Sequence, residues 1–358
     1  MTYCLGWKYR DSIFLIADTA VTKEERLLVS HSSFGELHQN IEGGNVEESL
    51  LKIVPIDENA VLTFSGDVEL AKKVIQFIKS AYEYTKDMGQ VLSAINASLG
   101  PFKKDKNVAI IIGNHVGGRP LLYRWEAAFP DKIVEGEDII WTGSLPLSYG
   151  QIAPLLLKEF MTGGMPTERM LPIISSMLQS LGIHNNILKF GVGGVFVGIQ
   201  LNEEGYHWQK DTMYILADND FSKENLDFVK TFIRDNALIV RSSIGNITRV
   251  FLDYMNDQSI EDWISKWSDL VNVELKRGNA SFFCLMNKKF HNVIIIKSKN
   301  CSSDTEYSKV KLLDEGNTIN LKVREDLYEM FKTPIAYEKG DGSLPLSFRF
   351  LDYEDHYE

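Results

Sequence analysis

Two apolar runs stand at the front of the chain, YCLGWKY at residues 3–9 and SIFLIAD at residues 12–18, joined through Arg10-Asp11. Both read as strands, the second rich in Ile, Phe and Leu, and the short polar break makes them an antiparallel hairpin. With the turn centred between Arg10 and Asp11, the numbers of facing residues add to about 21. Asp18 then faces Tyr3, and Thr19 faces Thr2. A carboxylate is thereby brought beside the first residues of the chain, within cross-strand reach.

A second hairpin, 51–56 with 60–65 around Asp57-Glu58-Asn59, sets Lys52 opposite Phe64 and next to Ser65-Gly66. Residues 23–49, between the hairpins, are polar, contain glycine and read as an insertion or long loop. Asp67 is placed to cap a helix, since Val68, Ala71, Val74, Ile75, Ile78 and Tyr82 recur at helical spacing. A second helix covers about 88–99 and stops at Gly100-Pro101. Strands follow at 107–113, 119–125 and 137–142, helices at 146–161 and 166–181, then a strand pair in GVGGVFVGIQLN and YHWQKD. Helices gathered in pairs between antiparallel hairpins imply an α+β fold: two sheets face to face with helix layers outside, a four-layer αββα arrangement. Past residue 212 the pattern changes, with strands such as VIIIKSK and a helix around 259–271. The chain is therefore divided into a domain at 1–212 and a C-terminal α+β extension at 213–358, ending in the acidic DYEDHYE.

Composition removes several classes of function. A net charge of −11 and a pI near 5.3 argue against nucleic acid or an anionic membrane as a partner. No run of about 18 apolar residues predicts a transmembrane helix, and no signal peptide is expected. Cys4, Cys284 and Cys301 are scattered, which fits a reducing, cytoplasmic setting without a disulfide framework. The histidines have no ligand spacing, so no metal is expected. GVGGVFVG lacks the GKS/T of a phosphate loop. No cofactor is expected.

What remains at the hairpin ends is a hydroxyl, a carboxylate, a lysine, a small residue and a glycine before a helix. A threonine hydroxyl is a poor nucleophile without a base. An α-amino group, with a pKa of about 8, can be that base if Thr2 is the first residue. Trimming of Met1 before a residue as small as threonine would expose Thr2 without a propeptide. Residues 2–210 resemble the proteasome β-subunit and HslV group of N-terminal-nucleophile hydrolases in their motif spacings. IADT ends the second strand where the family has its aspartate, at Asp18; Lys52 stands 14 residues before Gly66 in FSGD; TGSL holds Gly143 and Ser144.

The resemblance implies a threonine endopeptidase. Thr2 is its nucleophile and, through its amine, its base; Lys52 assists electrostatically, Asp18 holds Lys52, the Gly66 N–H serves the oxyanion hole and Ser144 bonds near the Thr2 amine. It implies an apolar substrate pocket of Val21, Leu50, Val54, Phe64 and Val68, a homo-oligomer with a ring possible, and a regulatory ATPase or activator as partner. Two features depart from the family. Lys189 and Val192 stand where it has an Asp and a Ser before the glycine pair Gly193-Gly194, and the 23–49 segment is long. Plainer readings stay open: Thr2 a strand residue with Met1 retained, Asp18 a solvated strand end, Lys52 on the surface, Ser144 a turn residue or helix cap, Gly66 a tight turn, Cys4 a packed apolar side chain. Two other functions stay open with them: an inactive scaffold of the same fold, and an N-terminal-nucleophile amidase acting on small amides.

Overall fold

The computed structural model describes residues 2–23, 31–36, 40–41, 44–99, 107–130, 132–218, 226–252, 262, 265, 268, 280–289, 292–297, 310–315, 318–323, 329, 331–332 and 347–351. The opening hairpin pairs β1 (Tyr3–Tyr9) with β2 (Ser12–Asp18), Cys4 opposite Ala17 and Tyr9 opposite Ser12, so the facing numbers do add to 21. Trp7 and Phe14, partners in that ladder, stack with ring centroids 5.0 Å apart.

The chain continues through β3 (Ala20–Lys23), β4 (Asn40–Ile41) and β5 (Gly44–Glu48), which form a small sheet in the order β3-β5-β4. The segment read as a loop is therefore partly strand. Its glycines and acidic residues hid this, because the central strand β5 buries Glu47 and Glu48 alongside Val46 and so lacks an alternating apolar pattern. β6 (Ile53–Asp57) and β7 (Ala60–Gly66) follow. Ile53 faces Thr63, the register expected, while a bulge between Pro55 and Asp57 absorbs the extra residue near the turn. Asp67 caps α1 (Val68–Thr85), its side chain accepting from the Leu70 N–H at 2.8 Å. α2 (Met88–Leu99), β8 (Val108–Val116), β9 (Arg119–Glu126), β10 (Val134–Glu135) and β11 (Ile139–Gly143) come next. The helix expected over 146–161 is two pieces, α3 (Leu147–Gly150) and α4 (Ile152–Thr162), broken at Gln151. α5 (Thr167–Asn185), β12 (Phe196–Asn202) and β13 (Gly205–Trp208) complete this part.

Two five-stranded antiparallel sheets result, in the orders β11-β1-β2-β12-β13 and β10-β9-β8-β7-β6. Their inner faces touch: a Cβ on Gly6 of β1 would lie 2.8 Å from Ile111 of β8 and 3.1 Å from Leu122 of β9. α1 and α2 share an apolar core with the second sheet, built from Val74, Ile78, Leu92, Ile110 and Trp125. α5 lies against the first sheet, where a Cβ on Gly198 of β12 would meet Leu171 at 2.5 Å.

Beyond residue 211 run β14 (Thr212–Ala217), β15 (Asp227–Arg234), β16 (Ala237–Ser242), β17 (Ile247–Phe251), β18 (Phe282–Asn287) and β19 (Asn292–Lys297). β20 (Val310–Glu315), β21 (Thr318–Val323) and β22 (Ser347–Leu351) follow. Seven of these strands form a mixed sheet, β17-β16-β15-β14-β18-β19-β22, and, among the described residues, β20 and β21 form a two-stranded sheet. The sequence puts α5 in an outer layer, but the seven-stranded sheet covers it. Every residue from Met170 to Gly182 is buried, and Ser176 meets Cys284 of β18 at 3.0 Å. A helix polar on its outer face could not tolerate this without partners; α5 answers with buried polar residues, the small Ser175, Ser176 and Ser180 and the hydrogen-bonded Gln179. Of the helix expected at 259–271, residues 262, 265 and 268 are helical and the rest lie outside the described residues, as does the DYEDHYE tail. No helix among the described residues is long and apolar enough to cross a membrane.

Candidate active site

The end of the opening hairpin, the start of β6 and the chain after β11 meet at one edge of the two sheets. Thr2 is buried there, 3% exposed. Its N–H donates to Ser144 Oγ at 3.2 Å, and its carbonyl accepts from the Ser144 N–H at 2.9 Å. Ser144 Oγ in turn donates to the Phe190 carbonyl at 2.9 Å. Ser144 thus caps no helix; it ties Thr2 to the segment before β12. Gly143 makes that approach possible, since at φ 137° a Cβ would sit 1.9 Å from the Thr2 carbonyl oxygen.

Asp18 and Lys52 are both buried and form an ion pair, Nζ to Oδ1 2.8 Å. Lys52 also donates to the Ala20 carbonyl. Asp18 Oδ1 accepts from the Tyr3 N–H at 3.2 Å, and Oδ2 from the Gly193 N–H at 2.9 Å. A buried carboxylate and ammonium are costly to desolvate, and each needs such further bonds to persist. Lys52 is therefore no surface lysine, and Asp18 no solvated strand end.

Gly66 stands where β7 meets α1. It has φ 102°, and a Cβ would fall 2.0 Å from the Asn107 carbonyl oxygen, so only glycine fits. The neighbouring Ser65 Oγ lies 3.3 Å from Thr142 Oγ1, and Thr142 precedes Gly143, the ladder partner of Tyr3. The end of β7 therefore sits over the end of β1 that carries Thr2. Of the five residues read as pocket lining, Leu50, Val54 and Phe64 are buried in the core shared with α1, while Val21 and Val68 are partly buried at its margin. Burial raises the Cys4 thiol to about 12, and its sulfur accepts from Thr63 Oγ1 at 3.1 Å. At neutral pH it is a packed thiol, not a nucleophile.

Four groups that sequence reasoning did not single out converge here. Gln179 of α5 donates to the Gly194 carbonyl at 2.8 Å and accepts from the Phe196 N–H at 3.2 Å, which fixes the glycine pair. The Phe190 carbonyl accepts a hydrogen bond from Ser144 Oγ, while neither Lys189, which lies over the Phe190 ring, nor the buried Val192 is its partner in that bond. Glu36 accepts from Ser32 Oγ at 2.9 Å and from the Gly194 N–H at 3.3 Å. Burial, with the Glu48 carboxylate nearby, raises its carboxyl to about 8 against these bonds, and its Oε1 has no hydrogen-bond partner among the described residues. Glu48 of β5 accepts from Ser33 and pairs with Arg249 of β17. A single Gln, a backbone carbonyl and two acids in a polar segment carry no periodic signal. No group of three or more His, Cys, Asp or Glu among the described residues is arranged to hold a metal ion.

No family model matches the chain, and no curated protein matches it. Among solved structures it is similar to eukaryotic HslV from Trypanosoma brucei, at 13% sequence identity and a TM-score of 0.41, over 56% of this chain and 100% of that one. A likeness this slight leaves the geometry above as the ground for a functional reading.

Proposed function

We propose that the chain is a proteasome-like threonine endopeptidase of the N-terminal-nucleophile class, with a four-layer αββα domain and a C-terminal extension from about residue 213. The observation that carries this reading is the buried Lys52–Asp18 pair beside a Thr2 whose nitrogen touches Ser144. With Met1 removed, the neutral Thr2 amine takes the Oγ proton as Oγ bonds to the peptide carbonyl carbon. The ammonium of Lys52 favours the neutral amine. The Gly66 N–H steadies the oxyanion, a donor typically worth about 10²–10³ in rate. The amine passes its proton to the leaving nitrogen, the C–N bond breaks and an ester remains on Thr2. Water, deprotonated by the same amine, attacks that ester, and the hydroxyl regains its proton.

Val21 and Val68 at the pocket margin, backed by Leu50, Val54 and Phe64, favour apolar residues before the cut. A homo-oligomer, cytoplasmic residence and a feeding ATPase or activator belong to the same reading. A peptide epoxyketone tests it, because that electrophile must engage both a free α-amine and its neighbouring hydroxyl. The expected result is a one-to-one adduct on a chain lacking Met1, absent in Thr2→Ala. An intact mass that retains Met1 and gains nothing rejects it. That result favours the inactive scaffold, which the Lys189 and Val192 departures support; turnover of small amides without turnover of peptides favours the amidase.

A further inference from the structure

We propose that Arg249, in the C-terminal sheet, is a positioning residue for the Lys52–Asp18 pair and acts through Glu48; the proposal rests on the peptidase reading above. Arg249 lies on β17, the edge strand of the seven-stranded sheet. One arm of its guanidinium pairs with Glu48 Oε2 and reaches Ser33 Oγ at 3.4 Å, and the other donates to the His31 carbonyl at 2.9 Å. The Glu48 side chain is 0% exposed and that of Arg249 17%, so the carboxylate is held out of water and the guanidinium is partly buried. Two further bonds join this part of the molecule to the 31–36 segment and to the chain just before β6: Ser242 Oγ, at the end of β16, donates to the Ser33 carbonyl at 2.6 Å, and the Leu51 N–H donates to the carbonyl of Leu252, just past β17, at 3.3 Å.

Glu48 touches the site twice. It faces Ala20 in the β3–β5 ladder, and the Ala20 carbonyl holds Lys52. Its side chain also packs on the glycine pair: a Cβ at Gly194 would lie 2.5 Å from Glu48 Cγ. Gly193 next door donates to Asp18. The charged and titratable groups linked to the Lys52–Asp18 pair or to Glu48 and Arg249 include Tyr3 and Cys4 of β1, His31 and Glu36, and Glu47, which Lys23 engages. Arg249 is the cation that offsets Glu48 in this largely acidic set. Without it a buried carboxylate is left uncompensated, which loosens the Gly193-Gly194 turn and adds negative charge beside Thr2. Added negative charge holds the Thr2 amine protonated to higher pH.

The test compares full-length wild type, Arg249→Met, Arg249→Lys, the Glu48→Gln/Arg249→Met double variant and Thr2→Ala. Two quantities are measured: kcat/KM against pH on a peptide with an apolar residue before the cut, and amide exchange at Gly193 and Gly194. Arg249→Met is expected to lower kcat/KM at neutral pH by about tenfold and to move the acidic limb up by about one unit. Arg249→Lys, which keeps the charge, and the double variant, which removes both charges, return the limb toward wild type. A limb in Arg249→Met that coincides with wild type overturns the proposal. If the wild type has no Thr2-dependent hydrolysis, the peptidase reading fails, and amide exchange alone decides the role of Arg249. Faster exchange at Gly193 and Gly194 with β8 unchanged supports it, and equal exchange rejects it. Arg249→Gln replaces Arg249→Met in the same comparisons if the latter does not fold.

Discussion

Glu36 concentrates the electrostatic cost of this site in one side chain. It is buried with one oxygen unpartnered among the described residues, and a Cβ at Gly182 would lie 2.9 Å from that oxygen. Its carboxyl titrates at about 8 when folded against an ordinary value of 4.5. The sign follows from linkage: a folded pKa above the unfolded one means that the folded state binds the proton more tightly. The stability this contributes is present below 4.5 and is lost as pH rises toward about 8. One such group gives a slope of up to about 1.4 kcal/mol per pH unit. Urea denaturation from pH 5 to pH 8 should show stability falling with pH, and Glu36→Gln should flatten that fall. A wild-type curve that rises across this window would contradict the assignment.

At the scale of elements, α5 is what joins the site to the rest of the molecule. One side packs on the first sheet through Leu171, the other on the seven-stranded sheet through Ser176, and Gln179 holds the glycine pair between them. Gln179→Leu preserves volume but leaves the Gly194 carbonyl and the Phe196 N–H without their side-chain partners. Each buried group so orphaned costs about 1–3 kcal/mol. The expected result is a lower urea midpoint at an unchanged m-value, together with slower epoxyketone modification of Thr2. A changed m-value would mean instead that the denatured state or the two-state transition was altered.

Across the whole molecule, one apolar core runs from the opening hairpin through α5 into the seven-stranded sheet. Leu15, Ile174, Leu178, Tyr214 and Ile295 belong to it alike. The proposed division near residue 212 falls where the seven-stranded sheet begins, yet the two sides share buried surface, and Arg249 adds polar contacts between them. Calorimetry should therefore record a single transition with equal calorimetric and van't Hoff enthalpies. Two separated transitions would show that the C-terminal part folds as an independent unit.

The local rules sufficed for what is local. A two-residue break between apolar runs set the β1–β2 register and so the place of Asp18 beside Tyr3. Helical spacing behind Asp67 defined α1 and its cap. Lys52 was legible because the register of the second hairpin can be counted back from Thr63. The break in the 146–161 helix and the strands inside 23–49 were not legible, since short polar elements lack the periodicity that marks long ones. Nor were Phe190, Glu36, Glu48, Gln179 and Arg249. Each is a single group whose meaning depends on a partner far off in sequence, such as Arg249 on Glu48. Sequence by itself determined which residues stand opposite one another within each hairpin, because pairing there follows from counting along the chain. Only the tertiary structure decided which distant backbone groups and charges surround Asp18 and Lys52. That outcome depends on how three sheets and one buried helix pack, and no local pattern encodes it.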